Sequence, residues 1–259
     1  MTLPSRATVD GMHMLIATIL FILSIATKYL VEASRDYRCM LGPSSFIYIT
    51  RVAPDAKNCA AYRLYYATFH MRVLLALFLP VFPLVAGALL AASLVAEMFV
   101  MFRYHLVLMT AVCVVLASLG CATNLGTRFD APLLPYLAVL LAAMYSLSAI
   151  RKMRNGFTNG NVLAYGLVIS LSKRYHDDHV WGSANLLRLA DRFLVWPQVA
   201  KVVVVAELMI GCLLIAPLHL LNIVGAALAI VAQLCFTALF PRTLLSFTLA
   251  MAAGLTLIA

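Results

Sequence analysis

The stretch from Leu64 to Phe102 is apolar over nearly its whole length, and it is too long for one helix in a bilayer. A span needs about 20 mostly apolar residues. Pro80 and Pro83 divide the stretch, and proline disfavours an uninterrupted helix. The sequence therefore predicts two spans joined by a very short turn. The remaining apolar runs predict further spans at about Met12 to Val31, Leu106 to Ala122, Tyr136 to Ile150, Val199 to Ala216, His219 to Leu239 and Thr243 to Ala259. The runs are continuous rather than alternating, so they read as helices and not as barrel strands. The expected fold is all-α: a polytopic membrane bundle of about eight transmembrane helices, with seven as the lower count.

Composition supports this reading. Only 11% of the 259 residues are charged and 64% are hydrophobic, against about 25% charged in a soluble domain. Met12 to Val31 is longer than a signal-peptide core and lacks a small-x-small cleavage site, so it reads as a retained first helix. Residues 1–259 are expected to form a single integral membrane domain, with a polar or interfacial segment at about 151–198. Within that segment, Val162 to Leu171 is too short to span and reads as re-entrant or interfacial.

The net charge of +9 is not spread evenly. With eight spans, 17 of the 19 cations fall on one side. Lys28, Arg35, Arg38, Arg51, Lys57, Arg63 and Arg72 flank loop one. Arg103 lies in loop three, eight cations from Arg151 to Lys201 flank loop five, and Arg242 lies in loop seven. Arg6 and Arg128 are the exceptions. The positive-inside rule makes the basic side cytoplasmic and both termini external. Cys39 and Cys59 would then be reduced thiols; an inverted topology would let them pair in an oxidising compartment. The cations lie beside spans, so topology explains them without nucleic acid. No CxxC or Cys/His zinc spacing, P-loop, GxSxG, HExxH or dinucleotide fingerprint occurs.

Ionisable groups within spans are expensive, and they are usually functional or paired. His105, Lys152, Glu97, Glu207 and Gln233 are the candidates. For Glu97 the plainer reading is an ion pair within its own segment, with Arg103 or His105. For Lys152 it is a side chain snorkelling from a helix end. Glu207 sits within Val202-Val-Val-Val-Ala-Glu-Leu-Met-Ile-Gly211 and must face a cation or an internal polar pocket. Asp177 and Asp178, between His176 and His179, could hold Mg²⁺. The third aspartate of a DDxxD motif is missing, so a solvated acidic turn is the stronger reading.

Three segments resemble the transmembrane domain of vitamin K-dependent gamma-carboxylase and its bacterial HTTM relatives. Arg103-Tyr-His105-Leu-Val-Leu-Met resembles the family's Asn-His segment. Tyr145-Ser-Leu-Ser-Ala-Ile-Arg-Lys-Met153, followed by Gly156 and Gly160, resembles its Tyr-x-x-(Ala/Ser)-Gly-x-x-Lys-Leu segment and downstream glycine. Glu207 resembles the acidic residue early in the following span of bacterial members. The resemblance implies that His105 and Lys152 meet at a shared cavity, with Lys152 as a base on reduced vitamin K. Gln233 stands where many relatives carry histidine. The sequence does not contain the large extramembrane domain of the carboxylase, which narrows the expectation to an intramembrane isoprenoid pocket.

Stand-alone proteins resembling this domain include membrane terpene cyclases. On that reading His105, Lys152 and Glu207 are catalytic. Arg151, Arg154, Lys173 and Arg174 would bind a diphosphate head, with Mg²⁺ held by Asp177 and Asp178. Tyr104, Tyr145, Trp181 and Phe157 would stabilise a carbocation by cation–π contact, and Gln233 would line the pocket. The alternatives are quinone-coupled chemistry dependent on a reduced quinone, and a non-enzymatic membrane partner in the maturation of an exported peptide or protein. A transporter is less favoured, because no inverted repeat is visible. The expected location is the cell membrane, and the expected ligand is a lipophilic isoprenoid.

Overall fold

A computed structural model describes residues 11–32, 70–100, 104–125, 133–161, 196–239 and 241–258. Among these, every regular element is helical. α1 (Gly11–Ala26) continues as a π-helical segment, Thr27–Glu32. Residues 70–78 form α2. α3 is Pro83–Val100, α4 is Tyr104–Asn124 and α5 is Leu133–Arg154. A 3₁₀ turn, Phe157–Asn159, follows. α6 is Trp196–Leu214, α7 is His219–Leu239 and α8 is Pro241–Ile258. The fold class read from the sequence holds. Five helices are long and apolar enough to cross a membrane (Gly11–Leu30, His105–Asn124, Leu133–Arg154, Trp196–Leu214 and His219–Thr237), and Pro83–Met98 and Leu245–Ile258 are shorter apolar helices. The expected short turn is present between α2 and α3. Phe82 N donates to Phe78 O at 2.8 Å, and Pro83 opens α3. There its missing N–H costs nothing, because a first-turn N–H has no intrahelical partner.

The helices bury their few charged side chains within a largely apolar core and expose further apolar side chains outside. α1 exposes Met12, Leu15, Ile16, Ile19 and Leu23, and buries Ala17, Thr18, Phe21, Ser24 and Ile25. In water this arrangement would be wasteful. In lipid it is required, since hydrocarbon solvates leucine and isoleucine but cannot hydrogen-bond a hydroxyl or a charge. Hydroxyls within the helices turn back onto their own backbone: Thr18 Oγ1 donates to Met14 O at 2.7 Å, and Thr110 Oγ1 to Leu106 O at 2.8 Å.

The chain divides into two compact units, residues 1–137 with 242–259, and residues 138–241; the boundary falls within α5. In the first unit α3 packs on α4 through small residues. A Cβ added at Gly120 would lie 2.8 Å from Pro83 Cβ. Such small-residue contacts let membrane helices approach closely. Ser24 Oγ donates to Ser246 O at 2.7 Å and ties α1 to α8. In the second unit α6 and α7 form a hairpin whose turn follows Leu214, as the tight Pro217–His219 junction predicts. α6 buries Ala200, Val204, Glu207, Gly211 and Leu214, one stripe at helical spacing.

Gly156 and Gly160, singled out in the sequence, bracket the 3₁₀ turn and both take left-handed backbone, φ 70° and 79°. Gly160 also lies against the start of α6. An added Cβ there would sit 2.7 Å from Pro197 N and from Trp196 C. At Gly156 the nearest atom would be 3.6 Å away, an ordinary contact. Gly156→Ala is therefore expected to cost about 1 kcal/mol, the left-handed penalty alone. Gly160→Ala is expected to cost clearly more, because backbone must also move. Thermal unfolding of the two variants in detergent, compared with wild type, measures the difference.

Candidate functional site

In the second unit the sequence candidates converge on the C-terminal half of α5. Lys152 Nζ donates to Glu207 Oε1 from α6, a direct ion pair. The ammonium also faces two aromatic rings, Phe157 at 5.2 Å and Phe236 at 5.0 Å from the ring centroids. Both distances are within the range of cation–π attraction. The Lys152 side chain is 23% exposed and that of Glu207 only 7%. The lysine therefore reaches inward to a carboxylate, not outward to headgroups. Glu207 Oε2 is buried and has no hydrogen-bond partner among the described residues.

Local structure explains the convergence. α5 stays helical through Arg154, so Lys152 lies on the final turn together with Arg151 and Arg154. Cations there complement the helix dipole. Arg151 and Arg154 are exposed, and Lys152 is the member of the trio turned towards α6. The left-handed Gly156 reverses the chain, so that Phe157 folds back to pack with Ala149, Trp196, Ala200 and Val204. Gly211 leaves room for α5: an added Cβ would meet Ala142 O at 3.1 Å.

Two turns deeper along α5, about 10 Å by helical rise, Tyr145 forms the second polar contact. It is 3% exposed and its hydroxyl donates to Ala229 O at 3.3 Å. Gln233 Nε2 donates to the Tyr145 hydroxyl at 3.2 Å. Gln233 and Phe236 are three residues apart, so α7 presents both to the seam with α5. The expected pocket residues Tyr145 and Gln233 are thus bonded to each other, and Lys152 and Glu207 are bonded to each other.

His105 lies in the first unit. It is half-buried, and its Nε2 is 2.8 Å from Lys28 Nζ. Glu97 is 2% exposed, and its partners among the described residues come from other elements, while Arg103 lies outside the described residues. Arg72 Nη1 lies at 2.9 Å and Lys28 Nζ at 3.7 Å, and Tyr29 donates its hydroxyl. Lys28 and Arg72, grouped in the sequence with the basic flank of loop one, are buried at 4% and 3% exposed. A helical repeat linking Lys28 to Ser24, Phe21 and Ala17 on the buried face of α1 is the signal that could have found Lys28. Nothing comparable marks Phe236 among the other apolar residues of α7. Tyr104 opens α4. Lys173, Arg174, Asp177, Asp178 and Trp181 lie outside the described residues, as do Cys39, Cys59 and Arg103. Among the described residues no three His, Cys, Asp or Glu side chains cluster to hold a metal.

Comparisons with protein-family models, curated proteins and solved structures give no match for this chain.

Removing one member of a buried ion pair leaves the other uncompensated, at a cost of about 3–5 kcal/mol, whereas removing both is often neutral. Lys152→Met is expected to lose roughly 3 kcal/mol of unfolding free energy. The double variant Lys152→Met/Glu207→Leu is expected to regain most of it. Denaturant unfolding of the three proteins in the same detergent reports both values.

Proposed function

We propose that this chain is a membrane enzyme acting on an isoprenoid, a terpene cyclase of the HTTM type that uses a prenyl diphosphate. The observation that carries this reading is the ammonium of Lys152 between Phe157 and Phe236, with Glu207 behind it. Two ring faces that hold a cation inside an apolar helical unit are what a carbocation needs from its surroundings. As the donor in an ion pair, Lys152 supplies positive charge and N–H groups, the role an anionic head requires. Quinone-coupled chemistry needs the same nitrogen as a proton acceptor, and the pair with Glu207 gives that role no support.

The chain's own residues divide the work. Arg151 and Arg154, exposed at the end of α5, meet the diphosphate, and Lys152 donates to its inner oxygens. The allylic C–O bond breaks, and its electron pair stays on the diphosphate oxygen, where these cations stabilise the developing charge. A distal double bond closes onto the allylic cation. Phe157, Phe236 and Tyr145 face the cation as it migrates. Loss of a proton ends the reaction, and Glu207 Oε2 receives it. Mg²⁺ would neutralise part of the diphosphate charge, with Asp177 and Asp178 as its expected ligands. The proposed location is the cell membrane, with the cationic mouth on the cytoplasmic side, where prenyl diphosphates are made.

Protein in lipid nanodiscs is incubated with farnesyl or geranylgeranyl diphosphate and Mg²⁺. The expected result is a cyclic hydrocarbon and release of inorganic diphosphate, without added reduced quinone. Lys152→Ala and Glu207→Ala are each expected to slow turnover by about 100-fold, the size of losing one preorganised charge-stabilising group. Turnover unchanged in both variants would remove these residues from the mechanism. Absence of product at every chain length would end the cyclase reading.

A further inference from the structure

The contact between Lys152 and Glu207 leaves polar capacity on both side chains. Glu207 Oε2 is buried and accepts no hydrogen bond among the described residues. An ammonium carries three donors. Lys152 gives one of them to Glu207 Oε1, and its other described contacts are the rings of Phe157 and Phe236, at 5.2 Å and 5.0 Å from the centroids. Ring faces attract the charge but are weak acceptors for an N–H. The pair therefore presents a spare donor and a spare acceptor on adjoining groups.

A buried acceptor without a donor is costly, and most of all when it is charged. The surroundings of Glu207 narrow what can supply that donor. Glu207 lies eleven residues beyond Trp196, the first residue of α6, which is roughly 16 Å by helical rise. Its neighbours one turn away on either side, Val203, Val204, Ile210 and Gly211, carry no polar side chain. A second cation would give the neutral pair a net charge among apolar helices, which is expensive. A buried water makes about three hydrogen bonds, and the pair supplies two. A hydroxyl at the end of a hydrocarbon chain has one proton fewer to place. It donates once, accepts once, and leaves its chain to the rings and the lipid. Lys152 marks the way in, because its side chain is 23% exposed against 7% for Glu207.

We infer that the Lys152–Glu207 pair is a hydroxyl-binding site for a membrane-dissolved alcohol. The ligand O–H donates to Glu207 Oε2, the ligand oxygen accepts from Lys152 Nζ, and the hydrocarbon chain packs on Phe157 and Phe236. The ion pair stays intact, no covalent bond changes, and the charge of the site is the same with and without the ligand. The site is the one assigned to the proposed reaction, but the ligand is neutral and its binding does not need diphosphate chemistry. Prenyl alcohols and straight-chain alcohols share the group that the pair recognises.

The test measures ligand binding to the full-length protein in detergent by native mass spectrometry. Two pairs of probes are used, farnesol with its methyl ether and 1-dodecanol with its methyl ether. Each ether keeps the oxygen and the chain but has lost the donor. The alcohol is expected to bind about tenfold or more tightly than its ether, the size of one hydrogen bond to a charged acceptor. That preference in either pair supports the site, and the pair that shows it more strongly identifies the chain. In Lys152→Met/Glu207→Leu, which removes both charges together, alcohol and ether are expected to bind equally. Retained ether binding and thermal unfolding close to wild type show that this variant is folded. Glu207→Gln keeps the shape of the side chain without its charge, and its preference is expected to fall several-fold. Equal binding of alcohol and ether by the wild type, or a preference unchanged in both variants, would overturn the inference. The outcome is independent of turnover. A cyclase without the alcohol preference sinks this inference alone, and an alcohol preference without turnover leaves it standing while the cyclase reading fails.

Discussion

Hydrocarbon cannot hydrogen-bond, and that constraint organises every polar side chain described above. A hydroxyl within an apolar helix can bond its own backbone, and Thr18 and Thr110 do so. A charge has no such option and must find a partner on another helix. Glu97 and Glu207 are the two buried carboxylates of the described residues, and each draws cations and aromatic rings around it. The helices are held in register at these points by polar contacts, set within a core that is otherwise apolar. Apolar burial drives little association when lipid tails are as apolar as the side chains. Close packing at Gly120 and Gly211 and the paired charges therefore carry more of the specificity than they would in water.

The two charge centres solve the same problem in different ways. Lys152 and Glu207 form a one-to-one pair, closed on two sides by Phe157 and Phe236 and left with one carboxylate oxygen without a partner among the described residues. Around Glu97 there are two cations, a phenol and an imidazole, and the contacts branch. A closed pair with aromatic walls suits a charge that stays in place while something else reacts beside it. The branched set spreads the charge of Glu97 over partners from several elements. The first arrangement supports the isoprenoid reading.

What was legible in the sequence is what local chemistry determines. Pro80 and Pro83 marked a break because proline acts on its own backbone, and α3 opens at Pro83. Glu207 stood out as a lone carboxylate in an apolar run, and Lys152 as the cation at the end of the preceding long helix. Their pairing crosses 55 residues, which spacing cannot reveal. Lys28 and Arg72 were grouped with topogenic charge, because a cation at the end of an apolar run looks the same whether it snorkels outward or turns inward. The deciding information is the position of Glu97, 68 residues from Tyr29 and 77 residues separating Lys28 from His105. Phe236 was hidden for a related reason: in a membrane helix an aromatic ring facing lipid and one facing a buried cation have the same sequence signature.

The π segment at Thr27–Glu32 shows how far this ambiguity extends. Its residues fit an apolar span as well as any α-helical turn would, and no proline or glycine marks the change of path. Lys28 and Tyr29 of this segment both end in the cluster around Glu97. An extra residue per turn costs local hydrogen-bond quality, and the contacts to one buried carboxylate offset that cost. The backbone irregularity therefore coincides with a buried carboxylate, as single-turn π segments often coincide with functional sites.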